Sequence, residues 1–205
     1  MKQLYYTNLK IAAIITAFIA IILIGLTAYL GNQSFFLLLN HDGGKFFDKL
    51  FSIITTGGEV IPWIAALIFI LIWRKYLLWL LVACFVISTI FTQGIKNLLP
   101  EQPRPTKAIA NLHLVHTVEG VDLYKVHSFP SGHTSAAFTV FFIACLAIEK
   151  RWIIPIGMIY ASLVGYSRIY LAEHFPLDVG GGMLIAIATV FISLKIWEAS
   201  SKRKN

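Results

Sequence analysis

The chain has 205 residues, of which 58% are hydrophobic and 13% are charged, and its formal net charge is +7. A soluble domain usually has about twice that charged fraction, so the composition favours a membrane protein. The basic residues fall between apolar segments and near the chain ends, as the positive-inside rule expects, and do not form a nucleic-acid-binding patch. Cys84 and Cys145 lie within apolar runs without metal-ligand spacing, so we interpret them as free packing thiols.

Six apolar segments are predicted to be transmembrane helices, because about 20 mostly apolar residues span a bilayer. The first is too long for the apolar core of a cleaved signal peptide. Pro62 suits the start of the second helix, and Arg74-Lys75 predicts a hairpin before the third, because one helix through both would be about 50 Å long. The predicted helices are 9–30, 60–73, 76–99, 131–148, 152–171 and 177–197. We therefore expect an all-α fold, a single six-helix membrane domain over residues 1–205.

Two connections are longer than simple turns. Phe46, Phe47, Leu50, Phe51 and Ile54 recur near helical spacing between the first two helices, which predicts a short interfacial helix, with a plain loop as the alternative. The polar stretch 100–130 has the length of a functional or disordered connection. We expect the histidines of both connections to be solvated or hydrogen-bonded locally: His41, His113, His116 and His127.

The distribution of basic residues also predicts an orientation in the membrane. With both termini in the cytoplasm, ten of the 17 Lys and Arg residues lie on the cytoplasmic side. This excess favours termini inside the cell, in the inner (cytoplasmic) membrane.

Three polar clusters then fall on the extracytoplasmic face. They are Lys96 with Arg104-Pro105, Pro130-Ser131-Gly132-His133, and Ser167-Arg168 with His174 and Asp178. Arginine and lysine suit phosphate oxygens, and the N–H groups at a helix start bind anions. One histidine can attack phosphorus while the other protonates the leaving oxygen. Asp178, four residues after His174, can accept from one ring nitrogen and leave the other as the nucleophile.

These clusters resemble the signature of the type 2 phosphatidic acid phosphatase superfamily, which also includes vanadium haloperoxidases. That signature is a lysine with a downstream Arg-Pro, then Pro-Ser-Gly-His, then Ser-Arg-x5-His-x3-Asp. The second and third elements match residue for residue. Seven residues separate Lys96 from Arg104, whereas the family usually has six. Either the helix end absorbs the extra residue, or Lys96 contributes less directly than its counterpart.

The resemblance implies a phosphatase that forms a phosphohistidine. His174 would be the nucleophile, Asp178 its orienting partner and His133 the general acid. The residues implied to hold the phosphate are Lys96, Arg104, Ser131, Gly132 and Arg168. No cofactor or metal is expected.

Two features beside these clusters have simpler interpretations. Apart from Asp178 and Glu173, the site has no carboxylate cluster of the kind that binds Mg²⁺. We expect Glu173 to face water or a basic side chain. The run Gly180-Gly181-Gly182 is expected to allow close helix packing.

The expected substrate is a lipid phosphate or diphosphate at headgroup depth in the bilayer, with no nucleic-acid partner. Examples are phosphatidylglycerophosphate, phosphatidic acid, undecaprenyl diphosphate and a lipid A phosphate. The alternatives are a phosphatase for a small soluble phosphate, such as a sugar phosphate, and a transporter or lipid-phosphate binder without turnover. A lateral opening between helices would favour the lipid, and a pocket open only to water the soluble phosphate. The intact set of His133, His174 and Asp178 argues against binding alone. The sequence does not predict the oligomeric state.

Overall fold

The computed structural model describes residues 2–202, and over this range the chain is helical and contains no β-strand. The α-helices are α1 (Lys2–Leu30), α2 (Asn32–Leu39), α3 (Lys45–Ile54), α4 (Ile61–Trp73), α5 (Leu78–Leu98), α6 (Pro105–Ala108), α7 (Gly132–Ala147), α8 (Ile153–Tyr170) and α9 (Pro176–Lys202). Short 3-10 turns lie at Thr55–Gly58, Lys75–Leu77 and Leu112–Leu114. The predicted all-α class is confirmed.

All six predicted segments are helical, but they differ in length. Helices α1, α5, α8 and α9 are long and apolar enough to cross a bilayer. Helix α4 has 13 residues and reaches a span's length only together with Lys45–Gly58, from which it is bent by 50°. Helix α7 has 16 residues. Four or five segments therefore meet the length criterion for a span, and six crossings stay a prediction.

Helix α7 lies at the centre of the bundle, where it contacts α1, α4, α5, α8 and α9. Most of its side chains are buried, among them Phe138, Phe141 and Phe142. Helix α8 approaches it closely at Gly157, where a Cβ atom would lie 2.0 Å from the Phe141 ring. Helix α7 is therefore enclosed by neighbouring helices along most of its length.

The outer face of the bundle is apolar. Ile14, Phe18, Trp79 and Ile159 are each more than 60% exposed. So large an apolar surface on a protein marks contact with a partner or a membrane. Both cysteines are buried and free, as predicted.

The hairpin predicted at Arg74-Lys75 is confirmed, since α4 ends at Trp73 and α5 begins at Leu78. Arg74 Nε donates to the carbonyl oxygen of Ala147 at 2.9 Å, which fixes this turn to the end of α7. The helix predicted around Phe46 is α3, and its place in the membrane interface stays a prediction. Helix α2 was not predicted.

Candidate active site

His174 and Asp178 form a buried pair where α9 begins. The His174 Nδ1 atom lies 3.3 Å from Asp178 Oδ2. The same carboxylate oxygen accepts from the Ser128 hydroxyl at 2.6 Å and from the Phe175 backbone N–H at 2.8 Å. Asp178 sits in the first turn of α9, where the helix dipole favours a carboxylate. With Nδ1 directed at the carboxylate, Nε2 is the ring nitrogen left for chemistry.

The environment of His174 keeps its ring uncharged. The side chain is buried, with 1% of its surface exposed. Burial lowers the pKa of His174 well below its usual range, and the positive charges of Arg104, Arg168 and Lys96 lower it further. A neutral imidazole has the free lone pair that a nucleophile needs.

The start of α7 is joined directly to the start of α9. Ser131 caps α7, and its hydroxyl oxygen accepts from the backbone N–H of Thr134 at 3.4 Å and from the Thr134 hydroxyl at 2.9 Å. The Ser131 backbone N–H donates to the carbonyl oxygen of Asp178 at 3.0 Å. This bond brings two clusters together that are far apart in sequence. It also engages the Ser131 N–H, so Gly132 and His133 are the residues whose first-turn N–H groups helix geometry leaves for an anion.

The Gly180-Gly181-Gly182 run allows this junction to form, and the close packing predicted for the run is confirmed. A Cβ atom on Gly182 would lie 2.6 Å from the carbonyl oxygen of Ser131, and one on Gly181 would lie 2.4 Å from the Phe129 ring. Real Cβ contacts are essentially never this short. Glycine therefore sets the distance between α9 and the start of α7, which carries His133.

His133 and Arg168 both contact a turn that the sequence did not single out. A Cβ atom on Gly58 would lie 2.6 Å from the Cβ of His133, so the turn packs directly on the histidine. The carboxylate of the next residue, Glu59, lies 3.6 Å from His133 Nε2. Arg168 Nη1 donates to the Thr55 hydroxyl at 2.6 Å. The signal in the sequence was Gly57-Gly58, because paired glycines often mark a close approach of backbone to another group.

Arg104 and Arg168 converge on one carboxylate. Arg104 Nη1 donates to Glu173 Oε2, and Arg168 Nη2 lies 3.4 Å from the same oxygen. Arg104 Nε donates to the carbonyl of Val126 at 3.0 Å, and its guanidinium lies 5.1 Å from the centre of the Tyr124 ring. Both arginines are buried, so their charges act in a low-dielectric environment.

Lys96 lies at the end of α5, within electrostatic range of Arg104, Arg168, Asp178 and Glu173. Helix α5 ends two residues later at Leu98. The additional residue before Arg104 therefore falls at a helix end or in the non-helical segment that follows. The structure thus brings Lys96 into the same region as the other site residues.

Glu173 is more central than the sequence indicated. It does face basic side chains, as expected, but only 1% of its surface is exposed. Burial raises the pKa of Glu173, although the guanidiniums of Arg168 and Arg104 act in the opposite direction. The sequence offered one signal of this burial: Glu173 and His174 lie between the apolar residues Ala172 and Phe175.

His41, His113 and His127 are exposed, as predicted, whereas His116 is half-buried and contacts a residue distant in sequence. His116 Nε2 lies 2.9 Å from Asp48 Oδ1, and His127 Nδ1 lies 3.2 Å from the Lys96 carbonyl oxygen. Among residues 2–202, one group of His and Asp side chains brings its ligand atoms within 4.8 Å of one another, namely Asp42, Asp48 and His116. None of the site residues belongs to that group.

Comparison with known proteins places these features in a family. The profile of the PAP2 superfamily matches residues 77–202. An undecaprenyl-diphosphatase of Sulfolobus acidocaldarius is 30% identical over 199 residues, or 96% of this chain and 93% of that protein. A lipid A 4'-phosphatase of Bacteroides thetaiotaomicron is 27% identical over 73% of this chain and 69% of that protein. The crystal structure of Aquifex aeolicus LpxE has a TM-score of 0.67 and 35% identity, covering 80% of this chain and 94% of that chain.

Proposed function

The chain belongs to the PAP2 superfamily of phosphatases, and we propose that it removes phosphate from a membrane lipid phosphate or diphosphate through a phosphohistidine on His174. The observation that carries this proposal is the junction of the three clusters. Asp178 contacts His174 through its carboxylate and Ser131 through its carbonyl, next to two buried arginines. The residues proposed as the nucleophile, its orienting partner and the phosphate-binding cations thus lie close together.

In the proposed first step, Nε2 of His174 attacks phosphorus. A P–N bond forms as the P–O bond to the leaving group breaks, and His133 donates a proton to the leaving oxygen. In the second step His133 removes a proton from water, and the water oxygen bonds to phosphorus as the P–N bond to His174 breaks. Phosphate is released and His174 is again neutral. A monophosphate substrate yields a lipid alcohol, and a diphosphate yields a lipid monophosphate.

Asp178 contributes most as the reaction proceeds. The imidazole becomes positively charged when Nε2 bonds to phosphorus, and the carboxylate beside Nδ1 stabilises that charge. The hydrogen bonds from Ser128 and Phe175 hold the carboxylate in place, so little reorganisation is needed at the moment of reaction.

The phosphate oxygens would be held by Arg104, Arg168, Lys96 and the N–H groups of Gly132 and His133. Phosphoryl transfer spreads negative charge over three oxygens, and fixed cations lower its energy. Ser131 supports this cradle through its bond to Asp178, and its own contact with phosphate stays a prediction. Because side-chain cations supply the charge, we propose a reaction that needs no metal. Activity in excess chelator, with inhibition by vanadate, is the expected result, and loss of activity that Mg²⁺ restores would contradict it.

An apolar cavity supports a lipid substrate. It has a volume of about 240 Å³ and lies between α4, α7 and α8, lined by Pro62, Ala66, Phe69, Ile143 and Tyr160 among others. Pro62 is three residues beyond Glu59, the neighbour of His133, and the lining residue of α7 nearest to His133 is Val140, about 10 Å away along the helix axis. The Tyr160 hydroxyl also donates to the carbonyl of Gly57 at 2.5 Å, in the turn that packs on His133. A hydrocarbon chain could lie in this cavity while its phosphate enters the cradle.

The membrane arrangement belongs to the same proposal. We propose six crossings, with α4 and α7 as short crossings inside the bundle, and α3 in the interface. The termini would be cytoplasmic, and the site would face the outside of the inner membrane. Undecaprenyl diphosphate and a lipid A phosphate, the substrates named for the two relatives, are candidates for this chain, alongside phosphatidic acid and phosphatidylglycerophosphate.

The deciding experiment compares lipid and soluble phosphates on the purified protein. Phosphate release would be measured with lipid monophosphates, isoprenoid diphosphates, a sugar phosphate and p-nitrophenyl phosphate. Ala66→Phe, which fills the cavity, should lower kcat/KM for the lipid at least tenfold and leave p-nitrophenyl phosphate hydrolysis unchanged. The control Ile14→Phe, on the exposed face of α1, should change neither.

Two other outcomes would favour the alternative functions. A preference for the sugar phosphate that Ala66→Phe does not affect would favour the soluble-phosphate alternative. Binding of lipid phosphate without any release would favour a binder or transporter.

A further inference from the structure

Glu173 occupies the position where the phosphate-binding arginines meet. Arg104 and Arg168 both direct a guanidinium nitrogen at its Oε2 atom. In the described part of the chain, Glu173 Oε1 and Arg168 Nε are buried and have no hydrogen-bond partner. One unpaired acceptor and one unpaired donor thus lie at the two ends of the same buried ion pair. Buried polar atoms rarely lack a hydrogen-bond partner unless a ligand or a water supplies it.

A substrate phosphate would need the same donors. Two guanidiniums that converge on one anionic oxygen form the arrangement that binds a phosphate oxygen. With Glu173 ionised, the phosphate would meet a second negative charge in a low-dielectric place, where like charges repel strongly. The carboxylate must therefore leave or become neutral when the phosphate binds.

The backbone around Glu173 does not favour a departure. Its N–H donates to the carbonyl of Arg168 at 2.9 Å, and its own carbonyl accepts from Arg104 Nη1 at 3.3 Å. The next residue, His174, is fixed in the same way by a bond from its N–H to the Arg168 carbonyl at 3.0 Å. A buried side chain on so constrained a segment is more readily protonated than moved into water.

We propose that Glu173 is a positioning residue that holds Arg104 and Arg168 in place before substrate binds and takes up one proton when the phosphate arrives. The proton comes from solvent and converts the carboxylate to a carboxylic acid. Its O–H then donates to a phosphate oxygen, so a repulsive contact becomes a hydrogen bond. This inference rests on the proposed function for the identity of the anion site, but not on the chemistry at His174.

The charged and titratable groups around Glu173 are consistent with this exchange. They are Arg168 on α8, Arg104 and Tyr124 on the segment between α5 and α7, Lys96 on α5, and the adjacent His174. The cations keep the carboxylate ionised while the site holds no other anion. A bound phosphate satisfies the same cations and removes that stabilisation. Burial raises the pKa of Glu173, which acts in the same direction as the loss of that stabilisation.

The test uses sulfate, a tetrahedral dianion that does not titrate in the working pH range. Sulfate binding to the purified full chain in detergent would be measured by calorimetry in two buffers of different ionisation enthalpy. The wild type should take up about one proton more than Glu173→Gln on binding. The ratio of the wild-type Kd to the Glu173→Gln Kd should rise up to tenfold per pH unit above the pKa of Glu173. The control Glu101→Gln, an exposed residue that pairs with Lys107, should behave as the wild type.

Several results would overturn the proposal. They are equal proton uptake in wild type and Glu173→Gln, parallel pH dependence of the two Kd values, and weaker sulfate binding by Glu173→Gln at every pH. If Glu173→Gln fails to fold, infrared difference spectra of the wild type test the protonation of Glu173 instead. A carbonyl stretch of a protonated carboxyl group must appear on sulfate addition, and its absence overturns the proposal. Because sulfate does not turn over, failure of phosphatase activity in other assays leaves this result unaffected.

Discussion

Replacing Asp178 by asparagine separates its charge from its shape. Asp178 Oδ2 accepts from Ser128 and Phe175 as well as facing His174 Nδ1. These two donors should select the asparagine rotamer whose carbonyl oxygen takes the Oδ2 position. The oxygen then still faces Nδ1, so the ring keeps the tautomer with a free Nε2. Only the negative charge is lost.

The expected effect follows from that geometry. A hydrogen bond to a charged group contributes about 1.5–3 kcal/mol, and 1.36 kcal/mol corresponds to a factor of ten in rate. We expect kcat to fall roughly 10- to 160-fold, with KM little changed because Asp178 does not hold the phosphate. The measurement is phosphate release by purified Asp178→Asn at saturating lipid phosphate, with the detergent melting temperature as a check on folding.

The double variant Asp178→Asn with Ser128→Ala tests why the loss of kcat in Asp178→Asn should stay this small. Without the Ser128 hydroxyl the amide can turn its nitrogen toward Nδ1, which favours the wrong tautomer. We expect the activation free energy of the double variant to rise by far more than the sum of the increases in the two single variants. Full kcat in Asp178→Asn, or a loss confined to KM, would refute the assigned role of Asp178.

The remaining predictions concern packing and protonation. Gly182→Ala should lower kcat at least tenfold in folded protein, because its Cβ atom would lie 2.6 Å from the Ser131 carbonyl oxygen, while Gly25→Ala, which meets nothing within 4 Å, should keep its activity. Equal activity in both would contradict the packing role. Between about pH 7.5 and about pH 5, the wild-type melting temperature should fall more than that of His174→Gln. The unfolded imidazole takes up a proton below its ordinary pKa of about 6.5, and the buried ring does not. Parallel melting curves would show that His174 is not held neutral.

Part of the candidate site's geometry could be predicted from the sequence, because the residues concerned are close together along the chain. His174 and Asp178 are four residues apart across the start of a helix, so their contact follows from helix geometry. Ser131 is recognisable as a helix cap from its position before α7. The resemblance to a family then supplied what single-sequence reasoning lacks, namely which distant segments meet.

The contacts that the sequence did not predict are long-range. The bond between Thr55 and Arg168 joins residues 113 positions apart, and no periodic pattern indicates it. The burial of Glu173 depends on Arg104, 69 residues away. The number of spans was also harder to predict than the helices themselves. Hydropathy locates an apolar helix, but the length that α7 needs depends on how completely its neighbours surround it.

The most direct test of the account is to trap the covalent intermediate. Purified protein would be mixed with lipid phosphate labelled with ³²P and quenched in base, where a phosphoramidate is stable, and the labelled peptide would be identified by mass spectrometry. The account predicts one label on His174, lost in acid and absent from folded His174→Ala. Label on another residue, or normal turnover in His174→Ala, would contradict the proposed mechanism.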